Sequence, residues 1–559
     1  LSLSVSRSEI RRPSLLGRPS TRLVYVALLG AGLVLLPVMA LALTALSSQA
    51  ASIWPHLAAN VLPAALRDTG LLLLGVGLLC GLIGVGTAWL VTQFEFLGRR
   101  SLEWLLVLPL ALPTYITAYV YVEVLGFQGP FQNALRALTG WRSLRDYWFP
   151  DPRNLPGAIC IMAIVLYPYV YLSVRALFGL QAAAIVESAR TLGAAPGRLF
   201  WRIGLPMARP ALAAGLTLVL LETLNDIGAS EYLGVRSLTL SIYTTWVNRN
   251  SLAGAAQIAC VMLLLVVLLM GIEARLRGQR RFALPVRQPR AVGRVPLQGG
   301  RAAAATLACA LPVLFGALLP IGFLATEVLR RGLWQQLDGA MLRALFNALV
   351  FSGLASGIVI LLGIGIAAAR RQGREPWLPA LSRLASLGYA VPGTVLALGL
   401  LVPLAALDNV VADALRRWFG LNIGLLLIGS GAALVLAYVV RFLAIAVSGV
   451  ESGLSRISPR IDDAARTLGA SAPEVMRKMH WPLARPAVAA AALLVFVDCL
   501  KELPATLLLR PLNVETLATT VYGHASRGAF EDGALAGLLI VLAGLYPAVR
   551  LARAGGRQA

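Results

Sequence analysis

Charge is what this chain has least of. Only 13% of its 559 residues are charged, 58% are hydrophobic and the mean hydropathy is +0.76. Soluble domains carry roughly 25% charged residues, so the composition excludes a water-soluble globular protein and points to a polytopic membrane protein. Acids are the scarcer sign, 26 Asp and Glu against 49 Lys and Arg, for a net charge of +23. A nucleic-acid surface would gather those basic residues into a patch. Here they fall between apolar spans, with alternate connections rich in arginine, which is the positive-inside pattern of a bilayer protein. Five cysteines (Cys80, Cys160, Cys260, Cys309, Cys499) are scattered through apolar stretches without a Cys-x-x-Cys pair, and so read as packing residues. His56, His480 and His524 lie in separate loops and lack metal-site spacing. The sequence also lacks the Gly-x-x-x-x-Gly-Lys-Ser/Thr phosphate loop.

What is present is apolar length. Runs long enough to span a bilayer, for which about 20 residues suffice, fall at about 23–46, 70–92, 102–124, 157–178, 208–226 and 253–272. A second set falls at about 302–326, 344–369, 384–407, 423–446, 484–502 and 534–551. The first run reads as a span and not as a cleavable leader. Twelve spans bring both termini to one side, and Arg7, Arg11, Arg12, Arg18 and Arg22 assign that side to the cytoplasm. Arg99 and Arg100, then Arg370, Arg371 and Arg374, follow the second span of each set on the same side. The expected organisation is a tail over 1–22, six spans over 23–272, a linker over 273–301, six spans over 302–551 and a tail over 552–559. The linker carries eight arginines between Arg275 and Arg301, together with Pro285, Pro289 and Pro296, a composition suited to a flexible connection. Opposite loops mix signs, as at Arg142, Arg145, Asp146, Asp151 and Arg153. Residues 127–156 are expected to hold a short amphipathic helix around Trp141–Trp148. Glu103 and Glu123 lie near span ends, within reach of the interface.

The chain repeats itself. Glu187-Ser-Ala-Arg-Thr-Leu-Gly193 returns 276 positions later as Asp463-Ala-Ala-Arg-Thr-Leu-Gly469, and Pro206-x-Ala-Arg-Pro-Ala returns from Pro482. Without a gap, 187–211 and 463–487 share 11 of 25 residues, including Arg, Thr, Gly and Pro. The chain is therefore a tandem duplication, an all-α membrane protein of two six-helix halves. A weaker mark, Pro113-Thr-Tyr against Pro392-Gly-Thr, lies in the third span of each half. Each strong copy sits between spans four and five and reads as a helix, a glycine stop, and a second short helix ending near proline. Gly193 and Gly469 suit the left-handed closure of a helix. Ser471-Ala-Pro473-Glu474 offers an N-cap, an N-terminal proline and a capping box. On shape alone the segment is either a linking loop or a rigid docking knob.

The residue pattern decides between these. The loops at 181–206 and 457–482 resemble the motif of ABC-importer permeases: Glu-Ala-Ala, three residues, Gly, nine residues, Ile-x-Leu-Pro. Glu187, Ala189, Gly193, Ile203, Leu205 and Pro206 fit it in the first copy; Ala464, Ala465, Gly469 and Pro482 fit it in the second. Asp463, Met479 and Trp481 depart from it but keep charge sign or apolarity. The resemblance implies a type I permease fold, with two cytoplasmic coupling helices seated on a pair of ATP-binding subunits. ATP and Mg²⁺ then belong to those partners, and this chain is not an enzyme.

Paired acids close the fifth span of each half: Glu222 with Asp226 and, 276 positions on, Asp498 with Glu502. At i,i+4 two carboxylates share a helix face and repel, so a cation, a proton or water is expected beside them. Two readings stay open. The acids, with Glu231, form a mouth suited to a hard cation, or they are interfacial acids solvated or paired with Lys501 or Arg236. Gly228 and Pro504 are expected to interrupt the helix that follows, as tolerated where backbone lines a cavity or is buried in protein. Lys501-Glu-Leu-Pro-Ala-Thr-Leu-Leu-Leu-Arg-Pro511 with Glu515-Thr-Leu-Ala-Thr-Thr-Val-Tyr522, and Asp226-Ile-Gly-Ala-Ser-Glu-Tyr-Leu-Gly234 with Ile242-Tyr-Thr-Thr-Trp246, resemble the fused ferric-iron importer permeases over nearly the whole chain. That resemblance implies a bacterial inner-membrane location, a periplasmic iron-binding protein as donor, and Fe(III) held only in passage. Thiamine, polyamine and phosphonate importers share the architecture. An ion-gradient carrier would also have twelve spans, but would repeat its midplane residues more faithfully than a cytoplasmic loop.

Overall fold

Proline and glycine, set into otherwise uniform apolar helices, shape this chain. The structure is a computed structural model that describes residues 21–143, 145–180, 189, 191–192, 195–277, 293–372, 375, 377–422 and 424–556. Among the described residues eleven helices are long and apolar enough to cross a membrane, twelve if the bent pair Arg99–Ala111 and Thr114–Thr139 counts as one span. The chain is an all-α polytopic membrane protein. A single parallel bridge, Phe94–Glu95 with Val295–Pro296, is the β structure among the described residues.

Among the described residues four helices contain a π turn, and each turn ends two residues before a proline. Leu57–Val61 precedes Pro63, Phe200–Gly204 precedes Pro206, Leu314–Leu318 precedes Pro320, and Met476–His480 precedes Pro482. Proline has no N–H to give, and its ring crowds the carbonyl four residues back. Widening the turn relieves that crowding. The residue before each proline donates instead to the carbonyl five back, as Leu205 does to Phe200 and Trp481 to Met476. The expected short helix ending near proline is therefore replaced. In both copies the chain runs on through the π turn into the fifth span, over Gly197–Asn225 and Met476–Leu500.

The third spans differ from expectation in the opposite sense. The single helices expected at 102–124 and 384–407 are both broken. In the first, Leu112 is extended (φ −94°, ψ 128°) ahead of Pro113, and the helix restarts at Thr114 after a 94° bend. In the second, Leu378–Ser386 leads through a 3-10 turn, Leu387–Ala390, and the chain restarts at Gly393 after Pro392. The cause is the exclusion of the residue before proline from helical backbone.

The fourth span of the second half begins at Ala432, not 423. Asp408, 2% exposed, accepts the backbone N–H groups of Leu426, Leu427 and Ile428 at 2.8–3.1 Å. One buried carboxylate thus holds an apolar stretch as a loop. The short helix expected around Trp141–Trp148 lies earlier, over Pro130–Thr139, and stops at left-handed Gly140 (φ 77°). Trp141 instead stacks on Tyr147 with centroids 5.0 Å apart.

Two compact units divide the chain. One takes in Leu1–Leu35, Ser356–Tyr389 and Val439–Val495; its cores include Ala27, Ile366, Leu378 and Leu443, and Ala367, Val450, Leu454 and Val488. The other takes in Leu36–Ala355, Ala390–Tyr438 and Phe496–Ala559. Its core is built on buried Tyr119, Tyr167, Tyr171 and Phe178.

Candidate functional site: two repeated loops and a pair of broken helices

In the second repeated loop the helix Pro459–Thr467 is closed by Gly469, left-handed at φ 81°. A Cβ there would meet nothing within 4 Å, so backbone conformation and not space calls for glycine. The Glu474 carboxylate reaches back to the Ser471 N–H and hydroxyl at 3.1 Å, the acidic arm of a capping box. The Ser471 N–H, chiefly, holds the Glu474 carboxyl below its ordinary range, with the Ser471 hydroxyl and the Lys478 charge adding to it. Arg371 fixes the loop from behind. It pairs with Asp462 at 3.0 Å and donates to the carbonyls of Leu454 and Ile457. Asp462 also bonds buried His480 at 2.6 Å. The repeat-equivalent positions in the first half are Val186 and Gly204, so this polar anchor belongs to one copy. At Gly204 a Cβ would stand 2.7 Å from Trp89, whose ring takes the edges of Phe178 and Phe200 at 5.2 Å. Aromatic packing thus fills in the first copy the place that the hydrogen-bonded His480–Asp462 pair fills in the second.

Of the motif residues, Glu187 and Gly193 lie outside the described residues. Ala189, Ile203 and Leu205 pack against the core of their unit, and Pro206 is half-buried. Asp463, Ala464 and Pro482 are exposed, Ala465 is buried, and Met479 is 41% exposed. The sequence reading passed over Leu192 and Leu468. They occupy equivalent positions before the glycine and are each 87% exposed, an apolar knob at the tip of each copy. Their identity was visible in the repeat; their exposure was not.

The other repeated geometry is where the fifth spans end. Leu205–Asn225 stops at Asp226, which is extended (φ −79°, ψ 102°) and caps the short helix Ile227–Tyr232 by accepting the Ala229 N–H at 2.8 Å. Trp481–Leu500 stops likewise, and Glu502 accepts the N–H groups of Ala505 and Thr506 at 3.0–3.1 Å, ahead of the helix Pro504–Leu509. The expected interrupters work differently. Gly228 lies inside the short helix, where a Cβ would collide with Tyr115 Cβ at 2.7 Å; Pro504 opens its helix.

These ends meet the broken third spans. The Thr114 hydroxyl donates to Asp226. The Gly393 N–H donates to Asn225 Oδ1 at 2.6 Å, joining the two halves, and a Cβ on Gly393 would fall 2.5 Å from Glu502 Oε1. Tyr438 bonds Thr506 at 2.6 Å. Asp226 (7% exposed) and Glu502 (5%) are thus buried carboxylates satisfied by backbone and hydroxyl donors. The Tyr115 hydroxyl, buried nearby, has no hydrogen-bond partner among the described residues. Asp498 pairs with Lys501 at 2.8 Å, and Lys501 occupies the repeat position of Asn225. Glu222 is half-buried. Glu231, in the short helix that Asp226 caps, accepts the Tyr522 hydroxyl at 2.8 Å. Glu103 is held by Arg99 and Arg175, and Glu123 accepts the Tyr232 hydroxyl at 3.0 Å.

Residues 77–281 and 360–554 each match the family described as binding-protein-dependent transport system inner membrane component. The chain is 25% identical over 482 residues, 84% of its length and 86% of the relative's, to the Fe(3+)-transport system permease protein FbpB 2 of Haemophilus influenzae. A probable ABC transporter permease protein, y4fN of Sinorhizobium fredii, is 24% identical over 86% of this chain and 85% of its own. The molybdenum transport system permease protein ModB of Escherichia coli is 27% identical over 33% of this chain and 80% of its own.

Proposed function

The chain belongs to the binding-protein-dependent transport system inner membrane components, and from that premise we propose that it is the permease through which ferric iron crosses the bilayer. Permeases of this family serve ABC importers alongside ATP-binding and substrate-binding partners, and are not themselves enzymes. The observation that carries the ferric assignment is coverage. The iron-transport relative aligns over 84% of the chain, both halves in one polypeptide, whereas the molybdenum permease aligns over 33%. Charge supports the same cargo. Asp226 and Glu502 sit at equivalent helix breaks, and Glu222, Glu231 and Asp498 complete an acidic set that attracts a hard cation. Carboxylates at these positions would repel molybdate or sulfate.

In this reading Fe(III) passes as cargo and the chain holds no resident cofactor. Two ATP-binding subunits, which carry ATP and Mg²⁺, take up the two repeated loops. One contacts the element of Glu187, Ala189, Gly193, Ile203, Leu205 and Pro206. The other contacts the element of Asp463, Ala464, Ala465, Gly469, Met479 and Pro482, and Leu192 and Leu468 fill apolar grooves on the partners. The termini and these loops face the cytoplasm of a bacterial cell, and an iron-binding protein docks on the opposite, periplasmic face. The test is ATPase stimulation. In nanodiscs holding the chain and its genomically adjacent ATPase, an iron-loaded binding protein should raise ATP turnover severalfold over the empty one. Stimulation by a thiamine-, polyamine- or phosphonate-loaded donor alone would reassign the cargo.

A further inference from the structure

Apart from the helix breaks, one cavity of about 370 Å³ is walled by oxygen donors from both halves. Tyr119, Glu231 and Tyr232 line it from the first half and Tyr522 from the second. The Tyr522 hydroxyl donates to Glu231 at 2.8 Å, and the Tyr232 hydroxyl donates to Glu123, behind the wall, at 3.0 Å. Tyr119 is 1% exposed as a residue, and it lines the cavity. Its hydroxyl lies 3.1 Å from where a Cβ on Gly228 would stand, and Gly228 also lines the cavity. Glycine there leaves the space before the hydroxyl open. The Tyr119 ring packs against Tyr232 at 4.5 Å and Phe530 at 5.3 Å, which sets its direction toward the cavity wall. Arg153, over the Tyr232 ring at 5.1 Å, is the one cation lining the cavity among the described residues.

The lining side chains that could ligate supply carboxylate, phenol and, from Ser526, hydroxyl oxygen, without sulfur or imidazole. Hard oxygen donors select hard cations. Resting on the ferric reading above, we propose that this cavity is a transit subsite for Fe(III), ligated by Glu231, Tyr522 and Tyr119, with the Tyr232–Glu123 pair holding the wall. On ligation the Tyr119 and Tyr522 O–H bonds break and their two protons pass to water, while three Fe–O bonds, to the two phenolates and Glu231, replace three bonds from iron to the ligands it arrives with. Glu231 exchanges its hydrogen bond from Tyr522 for the metal, and iron stays trivalent throughout.

Ferric nitrilotriacetate added to the full chain in nanodiscs tests this. The expected result is a visible phenolate-to-iron charge-transfer band. Tyr119→Phe and Tyr522→Phe should each weaken iron binding about tenfold or more. Glu231→Gln, which can still accept from Tyr522, provides a second variant should a buried tyrosine prove essential to folding. Tyr121→Phe is the control, because its hydroxyl bonds the Phe315 carbonyl at 2.7 Å and does not line the cavity. Absence of the band, or equal binding by all variants, overturns the subsite. Iron uptake by the unmodified complex is read separately. Uptake without the band removes the subsite and leaves the ferric reading standing. A band without ATP-driven iron uptake marks an adventitious site and overturns both.

Discussion

Single residues decide the two places where this permease differs from a plain bundle. Gly469 holds φ 81° with empty space around it. A β-branched residue there pays the left-handed backbone penalty of about 1–2 kcal/mol, while asparagine tolerates the conformation. Gly469→Val should therefore lower transport per ATP hydrolysed severalfold, and Gly469→Asn should retain it, measured as the ratio of iron uptake to phosphate release. Equal ratios would remove the docking role of this loop. Asp226 and Glu502 combine a cap with a charge, and substitution separates the two. Asp226→Asn can still accept the Ala229 N–H, so paired with Glu502→Gln it should slow iron uptake with little change in melting temperature. Asp226→Ala loses the cap as well, at a cost of about 1 kcal/mol, and should lower both. Charges at this scale were legible in the sequence because the repeat aligned them. Their capping role was not, since it depends on where the helix stops.

At the scale of elements, proline does the shaping, by two routes that the sequence does not distinguish. Pro113 and Pro392 break their helices; Pro206 and Pro482 only widen theirs. Both pairs stood out as repeat marks, but whether the carbonyls set free could be re-satisfied depended on neighbours that no local pattern names. Pro482→Ala restores the missing N–H and should convert the π turn to α-helix. That change rotates the loop ahead of it by about 100°, so iron transport should fall severalfold while the span itself becomes no less stable; unaltered transport would show that the loop's angle is unimportant. The anchor behind the same loop makes a separate prediction. Arg371→Met leaves Asp462 with His480 alone and removes the donor to the Leu454 and Ile457 carbonyls, and should speed limited proteolysis within 457–480 severalfold. The capping box adds a pH dependence. The folded Glu474 carboxyl is held below its ordinary range, so its contribution is full above the unfolded value near 4.3. It is lost as pH falls through the lower folded value. Amide exchange at Ser471 should accelerate across that window, and a pH-independent protection factor would contradict the cap.

For the whole molecule, duplication is the feature that reached furthest from sequence to function. It aligned the two loops, and each half matches the family. Apolar length located the spans, but it could not see Asp408 holding Leu426–Ile428 as a loop, because a buried acid in an apolar stretch reads locally as an interruption and not as a clasp. Nor could it bring Tyr522 against Glu231 across 291 residues. Contacts between the halves belong to tertiary packing, and they are where the cavity and the Gly393–Asn225 bond arise. The central claim, ATP-driven ferric import, is tested most directly by uptake into vesicles that contain this chain and its adjacent ATPase. Radioactive Fe(III) and thiamine are offered in turn on their own binding proteins, with and without ATP. The account predicts iron uptake that requires both ATP and the ATPase, with none of thiamine. Uptake of either cargo without the ATPase would contradict it.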